Sequence, residues 1–277
     1  MLKINIFLSE TLRREYLKMG KFICKIVSVS HYGDLTDMVL ENKEMASESK
    51  KGQFLHIACG GDTFLRRPIS ICDADAENGT TRIIFQTRGH GTELLAAKKA
   101  GEELDVLGPL GHGFESPAEG KVLLVGGGIG TFPLLMAAKE LGDRAVVAIG
   151  YRAKDLMYPQ LISDFEAAGA KVCIATDDGS YGTKGNVVTV FDNLIAEGEN
   201  FSAVMTCGPM VMMKFVAKAS EKYNIPCQVS LEERMGCGIG TCLCCVADIK
   251  EHEHADPHHL CVCKDGPVFD AKKVVFE

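Results

Sequence analysis

A cysteine-rich segment, Met235-Gly-Cys-Gly-Ile-Gly-Thr-Cys-Leu-Cys-Cys245, lies in the last fifth of this chain, and Cys263-Lys-Asp-Gly-Pro267 follows after an interval. Three of its cysteines are spaced C-x4-C-x2-C and a fourth comes later: Cys237, Cys242, Cys245 and Cys263. This is the plant-type spacing of four thiolates around a [2Fe–2S] cluster. The glycines let the backbone wrap closely around an inorganic core, since glycine adopts positive φ without a Cβ clash. The spacing therefore predicts a metal site that transfers single electrons.

A zinc site and a disulfide framework are the alternative uses of these cysteines. Zinc sites typically combine two close pairs such as C-x2-C, and only Cys242 and Cys245 supply one here. Disulfide frameworks are typical of small secreted chains, and the first residues lack the apolar core of a signal peptide. Cys244 breaks the ferredoxin-like spacing, and Cys261 is placed less well than Cys263, which directly precedes an Asp-Gly-Pro turn. We therefore expect neither Cys244 nor Cys261 to bind iron.

Length and charge limit the classes of protein to which the chain can belong. Its 277 residues suffice for two domains and a small appendage, and the hydrophobic content of 46% allows real cores. The net charge of −7 argues against nucleic acid or an anionic membrane as a partner. No apolar run approaches the roughly 20 residues that span a bilayer. Twelve cysteines without an export signal indicate a reducing compartment, so we expect a cytoplasmic protein.

The first part of the chain predicts an antiparallel β-barrel. Residues 1–20 read as a polar N-terminal extension, and Met19 is a candidate start because strand-like sequence follows at once. Short alternating segments separated by turn residues predict strands at 22–29, 36–40, 54–58, 69–72, 81–87 and 103–107. One helix interrupts them, from Thr92 to about residue 100. We assign residues 21–116 to this barrel.

The pattern then changes to alternating strands and helices. Hydrophobic strands are predicted at 122–125, 145–151, 171–176 and 203–207, and helices at 131–141, 156–168, 187–197 and 210–223. This alternation predicts a doubly wound parallel sheet. We assign residues 117–227 to this α/β domain and residues 228–277 to a small cysteine-rich module. The predicted fold class is thus α+β followed by α/β, with the module last.

Two glycine-containing turns follow strands of the predicted parallel sheet. Val125-Gly-Gly-Gly-Ile-Gly-Thr131 leads into a helix, and Cys207-Gly-Pro-Met210 repeats the arrangement after a later strand. Helix N-termini attract phosphate through free N–H groups and the helix dipole. One such turn can be purely structural, but two at one sheet edge favour a bound nucleotide. The predicted contacts are Gly126, Gly127, Gly128, Gly130, Thr131, Cys207, Gly208 and Pro209.

Two further motifs lie in the barrel half. In Arg67-Pro-Ile-Ser70, the arginine can bind a pyrophosphate through a fork of donors, and the proline stiffens the backbone beside a flat ring. Gly89-His-Gly-Thr92 begins the predicted helix and offers a second anion-binding terminus. Each motif alone suits an ordinary strand edge or turn. Their order, followed by the two turns of the parallel sheet, argues for a joint function.

With these motifs in this order the chain resembles the ferredoxin–NADP reductase superfamily, and with its cysteine segment it is similar to the electron-transfer subunits of type B dihydroorotate dehydrogenases. The resemblance covers about residues 21–276. It implies NAD, a [2Fe–2S] cluster on the four cysteines named first, and FAD in the barrel. The implied FAD-binding residues are Arg67, Pro68, Ile69, Ser70, Ile84, Phe85, Gln86, Gly91 and Thr92. No residue is assigned a catalytic role, because the cofactors carry the redox chemistry.

The chain departs from this family at two places. Phe85-Gln86 stands where the family often has an aromatic residue followed by arginine, which puts a side-chain contact of Gln86 with FAD in question. The interval between Cys245 and Cys263 is long because it holds an acidic and histidine-rich insert at 251–259. Clustered histidines beside acidic residues suit a solvated loop, and we assign them no metal.

The resemblance implies an electron-transfer flavoprotein subunit of pyrimidine biosynthesis. Electrons would pass between NAD(H), FAD, the cluster and the FMN of a separate dihydroorotate dehydrogenase catalytic subunit, in a heterotetramer with two copies of each. NADH–acceptor oxidoreductase activity is expected. Two alternatives stay open: a reductase subunit of another system, such as a sulfide dehydrogenase, sulfite reductase or bifurcating transhydrogenase, and a cofactor-binding module without turnover. Arg152, just past a predicted strand, leaves NADP open beside NAD.

Overall fold

The computed structural model describes residues 20–251 and 255–276, so residues 1–19 of the predicted extension and 252–254 of the insert lie outside the described residues. The first strands are β1 (Lys21–Tyr32), β2 (Leu35–Glu41), β3 (Phe54–Ile57), β4 (Arg67–Asp75), β5 (Thr80–Gln86) and β6 (Glu103–Leu110). Within the described ranges these six close a barrel in the order β1-β2-β5-β4-β3-β6, and every neighbouring pair is antiparallel. The predicted antiparallel barrel is confirmed.

The barrel core follows from the two-residue period of a strand. In β1, Phe22, Cys24 and Ile26 are buried while the residues between them are exposed, because successive side chains point to opposite faces. Two short helices accompany the strands, α1 (Lys43–Glu48) and α2 (His90–Ala96). The sequence reasoning missed α1, which Asn42 caps by accepting the N–H of Met45 at 3.0 Å.

The second layer is a largely parallel sheet. Its strands are β7 (Lys121–Gly127), β8 (Ala145–Tyr151), β9 (Lys171–Thr176), β10 (Thr183–Lys184), β11 (Phe201–Cys207), β12 (Cys227–Ser230) and, after the hairpin β13 (Val246–Ile249) and β14 (His258–Cys261), β15 (Val268–Asp270). Its helices are α3 (Leu135–Leu141), α4 (Pro159–Ala167), α5 (Val187–Ala196) and α6 (Met210–Lys222). In the described part of the chain the strand order is β10-β9-β8-β7-β11-β12-β15. The predicted doubly wound parallel sheet is confirmed.

The C-terminal segment extends this sheet instead of standing apart from it. Strand β12 pairs in parallel with β11, and β15 returns to pair antiparallel with β12, with Val229 opposite Phe269. The β13–β14 hairpin and the cysteine segment lie between these two strands in the sequence. The cysteine segment therefore leaves one edge of the sheet and returns to the same edge.

The glycine-rich turn after β7 differs from the helix predicted there. Residues Gly128–Leu134 form a 3₁₀ helix, and α3 begins only at Leu135. Pro133 lies inside this 3₁₀ segment. Gly128 adopts a φ of +54°, which glycine reaches without steric cost.

Ion pairs join the barrel to the α/β layer. Arg82 of β5 binds Asp37 of β2 through a fork, with Nε 2.9 Å from Oδ1 and Nη2 2.6 Å from Oδ2. Its Nη1 lies 2.5 Å from Oδ2 of Asp164 in α4. Tyr158, just before α4, donates its hydroxyl to Asp37 Oδ2 at 2.9 Å. Burial and the adjacent Asp37 carboxylate raise the pKa of Tyr158 to about 12, so its hydroxyl keeps the proton for this bond.

The helices of the described part of the chain are short. The longest, α6, has 13 residues. None is long and apolar enough to cross a membrane.

Candidate cofactor sites

The cysteine segment forms a tight loop, residues 235–245, around the thiol of Cys237. The backbone N–H groups of Ile239, Thr241 and Cys242 donate to its Sγ at 3.4, 3.3 and 3.4 Å. Burial alone would raise the pKa of Cys237, but these donors lower it to about 7. The loop therefore favours the thiolate, which is the form that binds a metal.

The four predicted iron ligands meet in two pairs. The thiols of Cys237 and Cys242 lie next to each other, and so do those of Cys245 and Cys263. The N–H of Gly240 links the pairs, because it donates to Cys263 Sγ at 3.1 Å from within the loop around Cys237. Two pairs of thiols suit a binuclear cluster held by four thiolates. In residues 20–251 and 255–276, no group of three or more metal-binding side chains is arranged around one single-ion position.

The two cysteines predicted not to bind iron lie differently. The side chain of Cys244 is exposed. Cys261 is buried at the end of β14, where its N–H donates to Asp265 Oδ2 at 2.8 Å. Burial raises the pKa of the Cys261 thiol, and the charge of nearby Cys245 raises it further. The exclusion of Cys244 and Cys261 stays a prediction.

The two barrel motifs meet at Arg67. A Cβ on Gly91 would lie 2.6 Å from Arg67 Nε, so the start of α2 packs directly on the guanidinium. Arg67 Nη1 donates to the carbonyl oxygens of Leu65 at 2.7 Å and Arg66 at 3.3 Å. These partners are neutral, so the charge of Arg67 is available to an anion such as a pyrophosphate. The arrangement fits the predicted FAD.

The other predicted FAD residues lie on neighbouring strands of the barrel and at the start of α2. Pro68, Ile69 and Ser70 belong to β4, Ile84, Phe85 and Gln86 to the end of β5, and Thr92 to α2. The amide of Gln86 is bound within the protein: its Nε2 donates to Asp34, and Arg88 Nε donates to its Oε1 at 2.6 Å. The side chain of Gln86 thus has protein partners where the family often has arginine.

The two glycine-containing turns lie side by side. Strands β7 and β11 are parallel neighbours, with Gly126 opposite Cys207. A Cβ on Gly130 would lie 2.5 Å from the carbonyl oxygen of Cys207 and 2.5 Å from the Cα of Gly208. Because β8 lies on the other side of β7, the turns mark the point where the strand order reverses. Open α/β sheets bind ligands at the carboxyl ends of strands at such a point.

Within these turns, the predicted residues have different surroundings. A Cβ on Gly127 would lie 2.5 Å from Met212 Sδ, and Pro209 is exposed at the start of α6. Thr131 is fully buried, and a Cβ on Gly126 would lie 2.6 Å from its Oγ1. We therefore expect Thr131 to pack against the buried side of the turn. A nucleotide would then contact the glycine backbone on the solvent side.

One residue at the junction of these sites was missed from the sequence. His56 of β3 lies opposite Pro68 in the barrel, and the loop of residues 235–245, here called the cluster loop, packs on its ring at Gly238. A lone histidine in an apolar strand carries no pattern that links it to a loop about 180 residues later.

Comparison with known proteins adds independent findings. A family model described as the iron–sulfur cluster binding domain of dihydroorotate dehydrogenase B matches residues 232–275. The electron transfer subunit of dihydroorotate dehydrogenase B (NAD(+)) from Geobacillus thermodenitrificans is 42% identical over 248 residues, which cover 86% of this chain and 92% of the relative. The subunit of the same name from Streptococcus mutans is 40% identical, with 87% and 92% covered.

Solved structures agree with these relatives. An NADH-dependent reduced ferredoxin–NADP oxidoreductase, described in connection with flavin-based electron bifurcation, superposes with a TM-score of 0.80 at 30% identity and covers 93% of this chain and 91% of its own. The ferredoxin reductase of carbazole 1,9a-dioxygenase, at 20% identity and a TM-score of 0.62, covers 75% of this chain and 67% of its own and shares the fold. By its relatives and its cluster domain, the chain belongs to the family of electron transfer subunits of dihydroorotate dehydrogenase B (NAD(+)).

Proposed function

We propose that this chain passes electrons between NAD(H) and the catalytic subunit of a dihydroorotate dehydrogenase through FAD and a [2Fe–2S] cluster. One observation carries most weight: the cluster loop packs at Gly238 on His56, and His56 lies opposite Pro68 of the flavin segment. The two predicted cofactor sites are therefore neighbours, as electron transfer between them requires. When bound, the cofactors supply hydride exchange between nicotinamide and flavin and single-electron transfer at the cluster.

The barrel binds and orients FAD. Arg67 neutralises the pyrophosphate, and glycine at position 91 leaves room for the guanidinium. The hydroxyl of Ser70 and the ends of β4 and β5 would hold the flavin ring. Behind these segments, Ile69 and Phe85 fill the barrel core, and Ile84 packs toward the α/β layer.

The paired turns of the parallel sheet bind NAD. Gly126, Gly127, Gly128 and Gly130 bring the backbone close to the nucleotide, and Cys207, Gly208 and Pro209 border it from the neighbouring strand. Burial raises the pKa of the Cys207 thiol, so this side chain stays neutral beside the nucleotide phosphates. Arg82, paired with Asp37 in the barrel and Asp164 in the α/β layer, holds the two domains together. This contact would fix the distance between the nicotinamide and flavin sites.

The cluster module delivers electrons to the partner. Its backbone N–H groups stabilise negative charge on the cysteine sulfurs, and such bonds tune cluster potentials. Leu243, between the ligand cysteines, is 67% exposed, and Cys242 is exposed too. We place the docking face for an FMN-containing catalytic subunit on residues 235–245.

Several finer points belong to the same proposal. The assembly contains two copies of each subunit and works in the cytoplasm, where a reducing milieu preserves the thiolates. Physiological flow runs from dihydroorotate to NAD⁺. The domains are the FAD-binding barrel at 21–116, the NAD-binding domain at 117–227 and the cluster module at 228–277, after an N-terminal extension at 1–20.

Co-purification and paired assays test this function. The purified chain should contain FAD and the visible absorbance of a [2Fe–2S] centre and should reduce a dye with NADH. With its co-expressed catalytic subunit it should reduce NAD⁺ with dihydroorotate. If the dye is reduced but no dihydroorotate-oxidising subunit ever associates, the acceptor belongs to another system. If neither cofactor is retained, the electron-transfer function itself is wrong.

A further inference from the structure

His56 lies between the flavin segment and the cluster loop. It belongs to β3, where it stands opposite Pro68 of β4 on one side and Leu107 of β6 on the other. Its side chain is 1% exposed. The residue is thus part of the barrel wall that carries the predicted FAD site.

The cluster loop rests on the imidazole ring. Gly238 has a φ of +73°, and a Cβ there would lie 2.6 Å from His56 Nδ1 and 3.1 Å from its Cγ. Only glycine lets the backbone next to Cys237 approach the ring so closely. The ring therefore sets how near this part of the loop can come to the barrel.

The imidazole is a buried polar group that lies against the backbone of the cluster loop. Neither Nδ1 nor Nε2 has a hydrogen bond of good geometry among the described residues, but the backbone of Arg66 and of Cys237 lies beside the ring. Buried polar side chains are nearly always hydrogen-bonded, and a neutral imidazole offers one donor and one acceptor. An imidazole N–H thus faces the loop that holds three of the four proposed cluster ligands, next to Cys237.

We propose that His56 is a positioning residue for the cluster: it fixes the cluster loop against the flavin segment and directs an imidazole N–H toward the loop backbone beside Cys237. This inference rests on the electron-transfer function proposed above. An N–H donor favours the reduced, more negative cluster and so raises its reduction potential. His56 itself is neither oxidised nor reduced. Its effect is on the potential of the cluster and on the rate at which the cluster receives an electron from the flavin.

The test uses the full chain with its catalytic subunit and compares His56→Leu with His56→Gln. Leucine fills the space without a donor, whereas glutamine keeps one. His56→Leu should retain FAD and the rate of flavin reduction by NADH. Its cluster should show a lower midpoint potential, an altered EPR spectrum when reduced, and roughly 10-fold slower reduction by the flavin in stopped flow. His56→Gln should recover most of the potential and the rate.

Thr81→Val provides the matched control. Thr81 is also a fully buried barrel residue whose hydroxyl has no partner among the described residues, but it lies in β5 opposite Leu40 and Ala74. Removing this polar group should leave the potential and the EPR spectrum unchanged.

Each outcome decides the proposal. A wild-type potential and spectrum in His56→Leu would overturn it. If His56→Leu loses part of its iron, the measurement is made on the cluster that remains. If His56→Gln restores iron content but not the potential, or if both variants lose all iron, the role is packing and the proposal fails. A wild-type chain without the cluster signal or without flavin reduction by NADH would instead contradict the proposed function.

Discussion

Arg82 of the barrel and Asp164 of the α/β layer form an ion pair with 2.5 Å between Nη1 and Oδ2. The side chains are 18% and 21% exposed, so the pair lies at a partly dry contact. The same guanidinium holds Asp37 of the barrel. One cation therefore ties two strands of the flavin half to a helix of the nicotinamide half, and its removal would leave two carboxylates facing each other.

We expect Arg82→Met to lower the free energy of unfolding by about 3 kcal/mol, because Asp37 and Asp164 lose their common cation. Urea denaturation followed by flavin fluorescence measures the change. Lys98→Met is the control, since its 3.1 Å pair with Glu102 is on the surface and should contribute less than about 1 kcal/mol. Equal losses in the two variants would mean that the barrel–sheet contact does not depend on Arg82.

Single serine substitutions of Cys237, Cys242, Cys245 and Cys263 should each abolish the visible absorbance of the [2Fe–2S] centre. Only these four thiols combine the expected spacing with the two observed pairs. Cys244→Ser and Cys261→Ser are matched controls and should keep it. Loss of the cluster in Cys244→Ser with retention in Cys245→Ser would reverse the assignment.

Arg67→Ala should weaken FAD retention at least tenfold, because a charge-assisted bond contributes about 1.5–3 kcal/mol. Flavin content per chain after gel filtration reports the effect. Lys25→Ala removes the same charge from an exposed position of β1 and should retain FAD. Undiminished flavin in Arg67→Ala would place the pyrophosphate elsewhere.

Gly130→Ala should raise the Kd for NADH, since the new methyl group would strike the backbone of Cys207 and Gly208, both at 2.5 Å. Titration of the purified chain measures this affinity. Gly198→Ala is a useful comparison, because its φ is +90° but nothing lies within 4 Å of the added carbon. It should cost about 1 kcal/mol of stability and leave NADH binding intact. A normal Kd in Gly130→Ala would argue that the nucleotide lies away from these turns.

Leu243→Glu should slow electron delivery to the catalytic subunit while NADH-to-dye reduction stays normal. A charge at an exposed apolar position of a docking face disfavours association without touching the flavin. Leu156→Glu carries the same change at another exposed leucine, 54% accessible, and should have no effect. Dihydroorotate-linked reduction of NAD⁺ at the wild-type rate in Leu243→Glu would move the docking face away from residues 235–245.

Local patterns predicted much of this molecule. The alternating burial of β1 is visible in the sequence as a two-residue hydrophobic period, which predicts a barrel strand. The fully buried strands β7 and β8 are visible as continuous apolar runs, which predict a parallel sheet. The glycine turns could be located too, because a strand followed by glycines and a helix lies within one short window. The α-helix after β7 begins at Leu135, four residues later than predicted, because residues Gly128–Leu134 form a 3₁₀ helix, which has nearly the same local sequence preferences.

Contacts between distant segments could not be predicted in this way. The pairing of β15 with β12 depends on register between short strands, and neither strand has a pattern that names its partner. His56 likewise joins the cluster loop only through the closure of the barrel. For the same reason, the cysteine spacing could indicate which thiols bind iron but not which barrel residue the loop would rest on.

The return of β15 to β12 also bears on how the cysteine segment is held in place. The intervening chain, with its cysteines, begins and ends at adjacent strands, so its two ends are held together by backbone hydrogen bonds of the sheet. These backbone hydrogen bonds therefore offset the entropic cost of closing the long loop, without a contribution from a metal. We therefore expect the β12–β15 pairing to hold both ends of the cysteine segment whether or not a cluster is bound.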